Sequence, residues 1–157
     1  MRILVISDSH GGVRNVHYAL ESHKNAKHVF FLGDHVRDIE SVKEYHPDRI
    51  FHIVHGNCDY NSMLPSVDSV VLGGKKIVYT HGHNFAVKSG TTVLSTMSKK
   101  AGADIVLYGH THIAKTSYEN GLYLVNPGSI AASREGGNSY AVIDIEQNGI
   151  MPIIIQI

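Results

Sequence analysis

Two short segments each carry a pair of metal-binding residue types two positions apart: Asp8 and His10 in ISDSHG, and His110 and His112 in LYGHTH. Each pair follows an apolar run, residues 3–6 and 105–108, that reads as a buried strand. In extended backbone, residues i and i+2 point to the same side, so each pair is expected to aim both side chains into one cleft. Three further apolar runs end in the same way. Residues 29–32 precede Gly33-Asp34, residues 51–54 precede Gly56-Asn57, and residues 77–79 precede His81. Five strand ends then present Asp8, His10, Asp34, Asn57, His81, His110 and His112. In open α/β sheets, ligands gather outside the carboxyl ends of the strands, so the seven can converge from distant parts of the chain.

Imidazole nitrogens and carboxylate oxygens, with no thiolate among them, suit Mn, Fe, Ni or Zn better than Ca or Mg. Seven protein ligands are too many for one ion that keeps an open catalytic position. Two ions sharing a bridging carboxylate would use them all; such ions lie roughly 3.5–4 Å apart and clamp the attacking and leaving oxygens of an in-line displacement. Two divalent cations, the two carboxylates and a bridging hydroxide leave a single positive charge, which matches a phosphodiester monoanion. The expected reaction is attack on phosphorus by the bridging hydroxide, with no side-chain nucleophile.

Taken singly, the segments have blander readings. Asp8 and His10 could cap the following helix, Asn57 could serve a turn, and His81 could be a satisfied core histidine. The metal reading rests on all five segments in this order. Around them, Cys58 is either a small buried residue or has a catalytic or metal-proximal role, and Asp59 is a candidate to orient adjacent groups. His35, His55 and His83 flank the proposed ligands and could support them. His17, His23, His28, His46 and His52 fall on polar helix faces or near strand starts and receive no role. Arg134, in the glycine-rich loop 133–137, could reach a phosphate but reads as a solvated loop arginine.

The elements that must hold these residues alternate. Strands at residues 3–6, 29–32 and 50–54 are separated by helices near residues 14–24 and 38–45, a βαβαβ opening that calls for a parallel sheet with right-handed crossovers. Val13, Val16, His17 and Leu20 share one face of the first helix. A hairpin then turns on Gly73-Gly74, between residues 69–72 and 75–79. A helix at residues 91–101, closed by Gly102, leads to the strand at 105–108. Residues 115–118 and 122–125 flank Asn120-Gly121, and residues 140–145 and 151–157 flank Asn148-Gly149, so two more hairpins are expected. The two halves suggest two packed sheets with helices outside.

With 157 residues, 14 Lys+Arg against 14 Asp+Glu and one cysteine, the chain is expected to form one domain with no generic electrostatic attraction for nucleic acid or an anionic membrane. The single Cys58 excludes an internal disulfide and fits a reducing compartment. The N-terminal apolar run is too short for a signal peptide and no run reaches spanning length, so a cytoplasmic protein is expected. The run Ile153-Ile154-Ile155 could make a sheet edge that needs covering, which leaves room for a homo-oligomer.

The blocks Asp8-Ser9-His10, Gly33-Asp34, Gly56-Asn57-Cys58-Asp59, His81-Gly82-His83 and Gly109-His110-Thr111-His112 resemble the five ordered blocks of the calcineurin-like metallophosphoesterases. Asn126-Pro127-Gly128-Ser129 and the short length are similar to the small bacterial and archaeal YfcE-type phosphodiesterases. The resemblance covers residues 1–157 as a single metallophosphoesterase domain. It implies a four-layer αββα sandwich, in which two mixed β-sheets are flanked by helices and the metals lie at the sheet edge. By this resemblance Asp8, His10 and His112 would hold one ion, Asn57, His81 and His110 the other, and Asp34 would bridge, usually with Mn. Many larger relatives carry a histidine directly after the metal-binding asparagine, where it can act on the phosphate or the leaving group. Here Cys58 stands in that place. The implied substrate is a small phosphodiester, with a phosphomonoester of a metabolite or phosphoprotein as the alternative. The family fold also serves a retromer subunit that has lost ligands and acts as a scaffold, a rival that the complete set of seven argues against. Without a cap domain, specificity should come from short loops near residues 60–65, 83–90 and 128–137.

Overall fold

The computed structural model describes residues 1–157. Its elements follow the expected order: β1 (Arg2–Ile6), α1 (Val13–Ser22), β2 (His28–Phe31), α2 (Val36–Lys43), β3 (Ile50–Ile53), β4 (Val67–Leu72), β5 (Lys75–Thr80), α3 (Thr92–Lys100), β6 (Ile105–Leu107), β7 (Ala114–Glu119), β8 (Leu122–Pro127), β9 (Ser139–Glu146) and β10 (Gly149–Gln156). One five-stranded sheet has the order β10-β9-β1-β2-β3 and the other β4-β5-β6-β8-β7. Both are mixed. β1, β2 and β3 run parallel, as do β5, β6 and β8, while β9, β10, β4 and β7 join antiparallel.

The layers follow from side-chain alternation. Ile3, Val5 and Phe30 of the first sheet meet Ile77, Tyr79, Ile105 and Leu107 of the second in one inter-sheet core. Their neighbours Leu4, Ile6, Val29 and Phe31 face the opposite way and pack against Val16, Leu20, Ile39 and Val42 of α1 and α2. Val78, Val106 and Leu124 do the same against Leu94 of α3. Central strands covered on both faces read as continuous apolar runs, as these do. The result is the expected αββα sandwich.

Three expectations need correction. β9 and β10 do form a hairpin, but Gly149 pairs with Glu146, so the turn residues are Gln147 and Asn148, and Gly149 lies within β10 without a positive φ. Ile150 and Ile154 pair with Ile145 and Ala141 on the inter-sheet face. A one-residue slip would turn them outward, so side-chain burial overrides the Asn-Gly turn preference. At the other two hairpins, Gly73-Gly74 and Asn120-Gly121 have positive φ throughout, as a tight two-residue turn with the strand twist requires. Second, His46 is buried rather than on a polar helix face, and His52 stacks on Phe30 at 4.5 Å between ring centroids. Third, the Ile153-Ile154-Ile155 run does lie on an edge strand, but Ile154 and Ile155 pack against the two cores on either side of the sheet.

Candidate metal centre

All seven proposed ligands sit beyond strand ends, at one rim of the sandwich. β1 stops at Ile6 and β6 at Leu107, so Asp8, His10, His110 and His112 lie past the extended backbone that was to align them. Asp8, His10, Asp34, His110 and His112 all have φ between 40° and 69°. Non-glycine residues rarely adopt this left-handed conformation and do so mainly where surrounding structure compels it. The alternation argument is therefore corrected: tight turns, not strand pleat, aim these side chains. The paired histidines also diverge, with His112 beside Asp8 and His10, and His110 beside His81.

Two clusters share Asp34. In the first, Asp8, His10, Asp34 and His112 each place one ligand atom within 4.8 Å of the others. His112 Nε2 lies 3.1 Å from Asp8 Oδ1 and 3.2 Å from His10 Nε2. In the second, His81 Nε2 lies 3.1 Å from both Asn57 Oδ1 and His110 Nδ1. Asp34 Oδ2 stands between them, 3.7 Å from His10 Nε2 and 3.6 Å from His81 Nε2.

Hydrogen bonds around the clusters fix which atoms face inward. His112 Nδ1 donates to the Ala132 carbonyl at 2.7 Å and His81 Nδ1 to the Leu32 carbonyl at 2.8 Å. In each neutral ring, Nε2 is therefore the lone-pair nitrogen and points at other acceptors. Asp8 Oδ1 is fully buried and has no hydrogen-bond partner except a His112 that carries a second proton. Acceptors facing acceptors in a buried site require a shared positive charge, either a proton or a metal ion. The donor set fits a divalent transition metal.

The protonation states lean the same way. Burial pushes Asp8 toward its neutral form, but the bond from His112, the nearby His81 and Ser7 outweigh it and hold the carboxyl below its ordinary value. Burial lowers His10, and burial together with His81 and Lys88 lowers His110 to about 4, so both rings are neutral donors at neutral pH. His112 is the exception. Its contact with Asp8 raises it, so a proton and a metal compete for this ring.

The supporting residues were less legible. Asp59 accepts the Asp34 and Gly56 backbone N–H groups through Oδ2 and the Val36 N–H through Oδ1, all at 2.8 Å. It thereby ties the loop carrying Asp34 to the loop carrying Asn57. Cys58 is half-buried, and its N–H donates to Asp34 Oδ1 at 2.8 Å, leaving Oδ2 for the shared position. Burial and Asp34 push the Cys58 thiol up to about 11. Asn126 donates to the Gly109 carbonyl and to Thr111 Oγ1, and Ser129 donates to the Asp8 carbonyl. The Asn126-Pro127-Gly128-Ser129 block thus braces both turn segments, a role no spacing rule could supply. Asp38, unremarked in the sequence, accepts from Ser9 Oγ and the Gly11 N–H, both at 2.7 Å. His35 packs edge-on against His10, and His83 lies beside His81 with its ring centroid 5.4 Å away. His55 contacts its own loop through the Gly56 carbonyl. The Arg134 side chain is exposed.

The chain is 27% identical over 179 residues to the Escherichia coli phosphodiesterase YfcE, covering 98% of this chain and 91% of that one. It is 36% identical over 91 residues to Schizosaccharomyces pombe vacuolar protein sorting-associated protein 29, covering 57% and 49%. A crystal structure of a Streptococcus pneumoniae protein described as a predicted phosphoesterase superposes with a TM-score of 0.83 at 28% identity, covering 99% of this chain and 88% of that one. The model of the calcineurin-like phosphoesterase superfamily domain matches residues 1–148, and the chain is accordingly a calcineurin-like metallophosphoesterase, an enzyme of the phosphate-ester hydrolases.

Proposed function

We propose that this chain is a dinuclear metal-dependent phosphodiesterase in which Asp8, His10 and His112 hold one divalent ion, Asn57, His81 and His110 hold the other, and Asp34 bridges them. The observation that carries this reading is Asp34 Oδ2, which stands nearly equidistant from His10 Nε2 and His81 Nε2. Manganese is the expected metal, with Ni, Fe and Zn as alternatives for the same donor set. When bound, the ions supply an activated water and the positive charge that stabilises the phosphoryl group during in-line displacement. The chain's own residues hold that geometry: Ala132 and Leu32 orient two imidazoles, Cys58 N–H orients the bridge, and Asp59 joins the loops. No side chain serves as nucleophile. A diester is favoured over a monoester because two ions, two carboxylates and a hydroxide leave one positive charge for a monoanion. A single domain working on a small phosphodiester in the cytoplasm completes the proposal.

Protein reconstituted with manganese should bind two ions per chain, and His112→Ala should weaken one site more than the other. It should also hydrolyse bis(p-nitrophenyl) phosphate faster than p-nitrophenyl phosphate. Saturation at one ion, unaffected by loss of His81 or His110, would defeat the dinuclear centre. The reverse substrate order would favour the monoesterase. The scaffold reading draws support from the sorting-protein relative, and it predicts no turnover on either ester with any divalent metal.

A further inference from the structure

Beside the metal centre lies a cavity of about 670 Å³, within the range of roughly 300–1,000 Å³ usual for small-molecule sites. Its near wall is His35 and Cys58. His35 packs against the ligand His10 at 5.0 Å between ring centroids, and the Cys58 N–H binds Asp34, so the cavity opens directly off the two clusters. Its far walls are Arg37 on the first turn of α2 and the segment Tyr60 to Leu64.

That segment is anchored but leaves its largest apolar groups unpacked. The Ser62 N–H bonds the Asp59 carbonyl, the His55 N–H bonds the Pro65 carbonyl, and Leu64 packs on the helix-side core. Between these ties, Tyr60 is 86% exposed and Met63 is 99% exposed. Arg37 is exposed and forms no ion pair, so its planar array of donors is uncommitted. An aromatic face, a polarisable thioether and a free guanidinium around one cavity suit a flat ring bearing hydrogen-bond acceptors.

We infer that this cavity receives the nucleoside arm of a phosphodiester, its base stacked on Tyr60 against Met63 and its ring acceptors met by Arg37. The inference rests on the phosphodiesterase reading for its orientation. The base occupies the cavity while the phosphorus lies at the clusters, beyond His35 and Cys58.

Two p-nitrophenyl diesters with the same leaving group isolate the other arm: methyl p-nitrophenyl phosphate and the p-nitrophenyl ester of thymidine 5′-monophosphate. The manganese-loaded protein should show a KM about tenfold lower for the thymidine ester, the size expected of one stacked base. Tyr60→Ala and Arg37→Met should each bring the two KM values toward equality. Equal KM values in the wild type, or a preference that survives both substitutions, overturns the inference. A second measurement is independent of turnover. In zinc-loaded protein carrying 13C-methyl methionine, thymidine 5′-monophosphate should move the Met63 methyl resonance upfield by ring current, and ribose 5-phosphate should not. A Met63 signal that ignores the nucleotide also overturns it. If neither ester is hydrolysed, the phosphodiesterase reading fails, and the methionine spectrum alone decides what the cavity binds.

Discussion

At the scale of single residues, the two carboxylates do different work. Asp8 is fully buried and lies against His112, whereas Asp34 faces both imidazole groups. Groups that merely orient a metal ligand are worth roughly 10- to 100-fold in metal affinity. Asp34→Asn is therefore expected to exceed that loss at both sites, while His10→Ala affects mainly one; titration with manganese separates the two patterns. By the family resemblance, Cys58 takes the place where larger relatives carry a histidine, and burial and Asp34 push its thiol up to about 11. In the metal-free protein that favours the neutral thiol at pH 7. Cys58→Ser should leave turnover of p-nitrophenyl diesters within about twofold, and Cys58→His should help poor leaving groups most, because general acids contribute roughly 10²- to 10⁴-fold. Parallel leaving-group slopes for wild type and Cys58→His would contradict this. In metal-free protein, iodoacetamide should modify Cys58 more slowly at pH 8 than it modifies a free cysteine.

At the scale of elements, the centre depends on how closely the turn after β2 approaches the turn after β3. A Cβ on Gly56 would be driven into the Asp34 carboxylate, and one on Gly33 into the Gly56 backbone, where Gly33 also has φ +93°. Gly56→Ala should therefore cost metal binding even though residue 56 contributes no ligand. Asp59 acts on the same junction from outside, as a positioning residue. Asp59→Ala leaves three backbone N–H groups without their acceptor; each buried donor so orphaned costs about 1–3 kcal/mol, with water able to recover part of it. The expected outcome is a lower Tm together with roughly 10- to 100-fold weaker manganese binding. Asp59→Asn, which retains one carbonyl acceptor, should recover part of both. A variant that loses Tm but binds manganese normally would show that Asp59 serves the fold alone.

At the scale of the whole molecule, histidine governs the response to acid. Burial, the largest cause in each case, lowers His10, His23, His28, His46, His52, His83 and His110. The unfolded chain takes up protons at these rings near pH 6.5 while the fold holds them neutral, so the stability they confer is complete above that pH and is lost as pH falls. His112 has the opposite sign: its value is raised, so its contribution is present below pH 6.5 and fades as pH rises through the raised value. Seven rings against one predict that the Tm of metal-free protein falls between pH 7 and pH 5, which thermal unfolding monitored by circular dichroism would check. On the proposed ligand set, manganese should make this fall steeper, because bound metal would exclude protons from four of the imidazoles. A Tm that is flat or rises toward pH 5 would mean that these rings protonate in place.

Much of this protein was legible in one dimension. The double-faced strands declared themselves as unbroken apolar runs because a central strand covered on both sides has no polar face to reveal. The order of Asp8, Gly33-Asp34, Gly56-Asn57, His81 and Gly109-His110-Thr111-His112 was readable because each block closes such a run. The rest required three dimensions. Which face a residue of β10 presents was decided by burial of Ile150 and Ile154 and not by the Asn148-Gly149 pair, since turn preference is weak beside a register that buries a whole strand. The aim of the ligands was decided by left-handed backbone beyond the strands, a conformation that non-glycine residues adopt mainly where surrounding contacts hold them there. Those contacts come from Asp59, Asn126, Ser129 and Ala132, which lie from 17 to 121 positions away from the residues they brace. Sequence thus determined which atoms could bind metal, because that is a property of residue type; the tertiary structure decided where their lone pairs point, because that depends on hydrogen bonds closed across the whole chain.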